Sequence, residues 1–129
     1  MRRCQVYALG QDAYWLKAVT KATDEVVTVE TIRYSANNMR CLDRLPEVDP
    51  EALLLVDATR QPDVAAMVKT LREQGWRYVV AVAADPSWKE ARTVLREGAG
   101  HDYWEKSYVP QVIRRDIERC LAEIARAGK

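Results

Sequence analysis

Apolar and polar positions along this chain switch repeatedly between a strand-like and a helix-like rhythm. Residues 4–9 (CQVYAL) form an apolar run that Gly10 and Gln11 interrupt, which predicts a first strand. Asp12 suits the N-cap of a helix over 12–23, whose Trp15, Leu16, Val19 and Ala22 recur at helical spacing. Residues 25–32 (EVVTVETI) are β-branched and alternating, so a second strand is expected there. From Ser35 to Leu45, Met39, Leu42 and Leu45 step by three, predicting a short helix before a loop bracketed by Pro46 and Pro50.

The second half repeats the alternation. ALLLVD (52–57) is apolar without alternation, as a parallel strand buried on both faces should be. Val64, Met67, Val68 and Leu71 mark a third helix that Gly75 can terminate. YVVAVAA (78–84) is a fourth strand. A fourth helix follows Ser87, with Trp88, Ala91, Val94 and Leu95 expected on its inner face and Gly98 as its stop. HDYWEK (101–106) is a short fifth strand, polar enough for a sheet edge. Pro110 can open the last helix. Val112, Ile113, Ile117, Cys120, Leu121 and Ile124 line one side of it, and Arg114, Arg115, Glu118, Arg119, Glu123 and Arg126 the other.

Five βα units without linker, repeat or low-complexity segment imply one α/β domain over 1–129, a doubly wound five-stranded parallel sheet with helices on both faces. In such sheets sites form outside the carboxyl ends of the strands. That rule singles out Leu9-Gly10, Asp57, Ala83-Ala84-Asp85 and Lys106.

Composition narrows the function classes. With 129 residues, 48% of them hydrophobic and 30% charged, the chain can bury one core. A net charge of +1 gives no argument for nucleic acid, and the Arg-rich side of the last helix is interleaved with Glu, as on a solvated face. Cys4, Cys41 and Cys120 form no CxxC pair, so neither a zinc site nor a disulfide framework is expected, and a reducing cytoplasm fits. Met1–Gln5 lacks an apolar h-region, and no run approaches the roughly 20 apolar residues of a spanning helix. A cytoplasmic protein without membrane association is the expectation. His101, the only histidine, is expected to be a polar loop residue. Of Trp76, Trp88 and Trp104, most are expected to be core or half-buried.

Asp57 is the most informative residue: a carboxylate held by a rigid strand at the mouth of the cleft, or else a loop Asp capping the turn over 58–62. Lys106, at the end of the fifth strand, can reach along the same edge toward it. There it could neutralise a carboxylate or pair with a phosphoryl group.

These features resemble the receiver domain of bacterial response regulators. The resemblance rests on the five βα units, the LLLVD strand and G-A-G-H-D-Y-W-E-K (98–106), where receivers commonly carry A-G-A-D-D-Y-L-x-K. It implies a flavodoxin-like (βα)5 fold with strand order 2-1-3-4-5. It also implies that Asp57 takes the phospho-acceptor position, Lys106 that of the conserved lysine, and Tyr103 that of the switch aromatic.

The pattern is kept only in part. Where receivers carry an acidic pair for Mg²⁺ at the end of strand 1, this chain has Ala8-Leu9-Gly10, and Asp12 comes late. The strand-4 Thr or Ser is lost at both candidate positions, Ala83 and Ala84. Residue 107 is Ser where proline is usual, and the loop after Asp57 offers only Pro62. Phosphoryl transfer to a carboxylate depends on positioning and charge neutralisation. With Asp57 as the only expected metal-facing carboxylate, Mg²⁺ is expected to bind weakly if at all. Each lost charge-assisted contact should cost roughly 1.5–3 kcal/mol.

The expected function is therefore a stand-alone signalling module of a two-component phosphorelay, a pseudo-receiver without enzymatic activity. Its partners would be a sensor kinase or a downstream effector, with a homodimer through the fourth helix, fifth strand and last helix as another form of output. Trp104, Tyr103 and Tyr108 lie near that face. Because no DNA-binding domain follows Lys129 in this sequence, output is expected to run through protein contact. Two other readings stay open. A small-ligand-binding flavodoxin-like domain would use the same cleft, but no Gly-rich phosphate loop follows strand 1. A haloacid-dehalogenase-like phosphatase is faintly suggested by Val56-Asp57-Ala58-Thr59, without the second acid of that motif.

Overall fold

The computed structural model describes residues 4–24, 29–35, 48–59 and 61–127. Its elements are β1 (Cys4–Gly10), α1 (Ala13–Thr23), β2 (Val29–Ser35), β3 (Leu53–Asp57), α2 (Val64–Glu73), β4 (Tyr78–Ala83), α3 (Trp88–Arg96), β5 (Asp102–Glu105) and α4 (Pro110–Ala127). The five strands form one parallel sheet in the order β2-β1-β3-β4-β5, the order that the receiver resemblance implies.

Strand alternation divides the core into two layers. Val6, Ala8, Leu53, Leu55, Val80, Val82 and Trp104 face α1 and α4, meeting Trp15, Leu16, Val19, Ile113, Ile117 and Cys120. The intervening residues, among them Leu9, Leu54, Val56, Val79 and Ala81, face α2 and α3 and meet Met67, Val68, Leu71, Trp76 and Val94. Leu53 to Asp57 are all buried, because β3 lies at the centre of a sheet covered on both sides. Asp57 shares the parity of Leu53 and Leu55, which turns its side chain to the α1/α4 face at the carboxyl edge.

The helix ends follow from their capping residues. Asp12, Asp63 and Ser87 each accept backbone N–H groups at the start of α1, α2 and α3. After α2, Gly75 adopts φ +112°. Its N–H donates to the Arg72 carbonyl and that of Trp76 to the Leu71 carbonyl, at 3.0 and 3.2 Å. This paired closure needs a left-handed residue and so favours glycine.

Three local expectations change. Strand β2 ends at Ser35, whose register partner is Gly10, so Ser35 does not start a helix; the rest of the expected helix, 36–45, lies outside the described residues. On α3 only Val94 is buried. Trp88 is 76% exposed and Leu95 42% exposed, so neither belongs to an inner face. The reason is position: α3 leans on α2 and on β5, the edge strand, so only a narrow stripe of it is covered. Among the described residues no helix is long and apolar enough to cross a membrane.

Candidate functional site

The carboxyl ends of β1, β3 and β4 and the segment after β5 surround a cleft of about 400 Å³ lined by Gln11, Asp12, Asp57, Thr59, Ala84, Lys106 and Tyr108. Parallel strands bring these residues together because each βα connection returns the chain to the same edge. Lys106 continues the β5 direction for one residue, its N–H donating to the Ala83 carbonyl at 2.7 Å. That bond places the ammonium beside the end of β3. Lys106 Nζ donates to Asp57 Oδ2 at 2.9 Å, and the two side chains are 4% and 6% exposed. The Thr59 N–H donates to Asp57 Oδ1 at 3.0 Å, so Asp57 also closes the turn that follows it.

A second carboxylate enters the cleft. Asp12 Oδ1 accepts the N–H groups of Tyr14 and Trp15, at 3.0 and 3.2 Å, as the cap of α1. That bond turns Asp12 Oδ2 toward the cleft, where it lies 2.9 Å from Lys106 Nζ and accepts the Tyr108 hydroxyl. The expectation that Asp57 is the only carboxylate facing this space is thereby corrected. Asp12 does come late along the chain, but its capping role carries it back to the strand edge. The usable signal was the cap itself.

The electrostatics follow from these contacts. The Tyr108 hydroxyl and the Lys106 ammonium hold Asp12 well below the usual carboxylate range, at about 2. Burial works against the Lys106 charge, but hydrogen bonds and attraction from Asp12 and Asp57 outweigh it and raise its pKa above the ordinary lysine value. Its hydrogen bond to Asp12 raises the Tyr108 phenol. The Lys106 ammonium also stands 5.5 Å from the Tyr108 ring centroid. Among the described residues that line the cleft, two carboxylates face one ammonium.

This donor set is a poor fit for Mg²⁺. Asp12 Oδ2 and Asp57 Oδ2 both rest on Lys106, and both Oδ1 atoms accept backbone N–H groups. Magnesium demands near-octahedral oxygen ligation and surrenders water reluctantly. Here the cation between the carboxylates is the ammonium of Lys106. Gly10 supplies no further carboxylate, and there is no room to add one: a Cβ at that position would lie 2.9 Å from Asp57 Cβ and 3.2 Å from the Trp15 ring.

The remaining positions singled out in the sequence fall around this cleft. Ala84 lines it and is exposed, whereas Ala83 is buried in β4; neither offers a hydroxyl. Thr59, two residues after Asp57, has a buried hydroxyl. Tyr103 is directed away from the cleft, to α3. Its hydroxyl donates to Glu90 Oε1 at 2.6 Å and accepts the Ser87 N–H at 3.3 Å. Burial and the Glu90 carboxylate push its phenol up to about 12.

No protein-family model matches the chain, and no curated protein matches its sequence. Its fold, however, is that of response regulator receiver domains. A response regulator from Thermotoga maritima superposes with a TM-score of 0.74 at 15% identity, over 93% of this chain and 98% of that one. A response regulator receiver protein from Pseudoalteromonas atlantica gives 0.73 at 15% identity, over 97% and 99%. HP1043, described as an orphan response regulator of H. pylori, gives 0.70 at 17% identity, over 94% and 99%. Likeness at such identities extends to the fold alone.

Proposed function

We propose that this chain is a receiver-like signalling module of a two-component system, with Asp57 in the phospho-acceptor position and Lys106 in that of the conserved lysine. The observation that carries this reading is the 2.9 Å contact between Lys106 Nζ and Asp57 Oδ2 at the carboxyl edge of a sheet ordered β2-β1-β3-β4-β5. An ammonium against the acceptor carboxylate could hold a phosphoryl oxygen once the group is attached.

The module is a pseudo-receiver, whose state is set by binding more than by phosphate. Support comes from the missing acidic pair at Leu9-Gly10, the missing hydroxyl at Ala83 and Ala84, and the engagement of Asp12 and Asp57 with Lys106. Its output is a protein contact with a sensor kinase, a downstream effector or a second copy. The contact surface is α3, β5 and α4, where Trp88 and Leu95 are exposed. Neither nucleic acid nor a membrane is a partner, and the module is not an enzyme.

The test is incubation with acetyl phosphate or a beryllofluoride mimic, with and without Mg²⁺, followed by intact mass and Trp fluorescence. A pseudo-receiver shows little or no Mg²⁺-dependent modification. Rapid, Mg²⁺-dependent labelling that Asp57→Asn abolishes would instead establish an ordinary receiver. A co-purifying chromophore would favour a small-ligand domain.

A further inference from the structure

At the amino edge of the sheet, opposite the carboxyl edge that holds the Asp57 cleft, His101, Cys120 and Glu123 converge, with one ligand atom from each lying within 4.8 Å of the others. They come from two elements. His101 immediately precedes β5, while Cys120 and Glu123 stand one turn apart on α4. From this geometry we infer that His101, Cys120 and Glu123 form a site for a single zinc-class divalent ion, with water as the fourth ligand.

The donor set selects the metal class. Thiolate, imidazole and carboxylate suit the borderline-soft Zn²⁺, whereas Mg²⁺ prefers oxygen alone. The ligands are partly preorganised, since His101 Nε2 already lies 3.1 Å from Glu123 Oε2. The Tyr78 ring packs edge-on against the imidazole at 5.5 Å, and the His101 N–H is tied to the Val79 carbonyl at 2.8 Å. Closing the set around a metal asks for a contraction of about 1 Å, to reach bond lengths of about 2.0–2.3 Å.

The charge around the sulfur favours a cation. Asp102, Glu123 and Asp116 bear on Cys120, against Arg119 as the nearby positive group. Cys120 is a free, buried thiol. When the metal binds, the S–Zn bond replaces the S–H bond and the proton passes to solvent; no oxidation is involved. Arg119, which also approaches Glu123 at 4.0 Å, keeps Asp102 and Asp116 as partners at 3.6 and 3.3 Å. An ion here would tie the start of β5 to the middle of α4.

The experiment uses the tag-free full chain, titrated with Co²⁺ as a spectroscopic probe and then with Zn²⁺ in competition. One equivalent of Co²⁺ should give a thiolate-to-cobalt charge-transfer band that Zn²⁺ displaces. Cys120→Ser should abolish the band. Because Cys120 lies in the core, Glu123→Gln on the partly exposed side of α4 serves as the second variant and should weaken Zn²⁺ binding at least about tenfold. Asp57→Asn should leave binding unchanged, which separates this site from the cleft. Absence of Co²⁺ uptake, uptake without the thiolate band, or binding that survives Glu123→Gln unaltered would overturn the assignment.

Discussion

Lys106 and Asp57 are 49 residues apart in sequence, yet Nζ and Oδ2 meet at 2.9 Å, nearly shielded from solvent. A second carboxylate, Asp12, meets the same ammonium at the same distance. Among the described residues, Lys106 is thus the positive centre between two negative ones. Removing it should leave two carboxylates uncompensated in a partly enclosed space. Lys106→Met is expected to destabilise the fold by about 3 kcal/mol at neutral pH, measured by urea unfolding. Adding Asp57→Asn in that background should recover part of the loss, and a double-mutant cycle should give a coupling of at least about 1 kcal/mol.

Asp12 titrates at about 2 in the fold against an ordinary 3.8. A carboxyl whose folded pKa is depressed contributes stability that is complete above its unfolded value and is lost as pH falls through the folded one. The contribution should therefore fade between about pH 4 and about pH 2. Tyr108→Phe removes the largest cause of the depression. Its urea midpoint should consequently fall less steeply over that window than the wild type's, with the Asp12 pKa, read by NMR, moving up toward 3.8.

Gly10 stands where a Cβ would meet Asp57 Cβ at 2.9 Å. Restoring an acidic residue there is therefore not a simple repair. Gly10→Asp should destabilise by about 1–3 kcal/mol through overpacking and should not create Mg²⁺-dependent labelling with acetyl phosphate. Gly10→Ala should cost a similar amount, which would assign the effect to volume and not to charge. Denaturant midpoints for the pair decide it.

Tyr103 fastens β5 to the start of α3 through Glu90 and the Ser87 N–H. Tyr103→Phe should cost about 1 kcal/mol and speed amide exchange in the first turn of α3 more than in α2. Equal exchange in both helices would mean that the hydroxyl does not hold α3.

The alternation of rhythms in the sequence was enough to give the α/β class, because strand and helix periods can be read without knowing any partner. The LLLVD run located a central strand for the same reason, and the strand-end rule then picked out Asp57 and Lys106. The inner face expected for the fourth helix failed at Trp88 and Leu95, since helical spacing marks a stripe but not what covers it. Residues 36–45 lie outside the described structure.

What the sequence determined by itself was a parallel βα fold with one carboxylate and one lysine at the same edge. Tertiary structure alone decided the rest: that Asp12 turns back to share Lys106, that Tyr108 caps it, and that Gly10 leaves no space for a third acid. The physical reason is that a hydrophobic period records only which side of an element is buried. Which polar atoms meet depends on register, on caps and on Ångström-scale clearances between segments far apart in the chain.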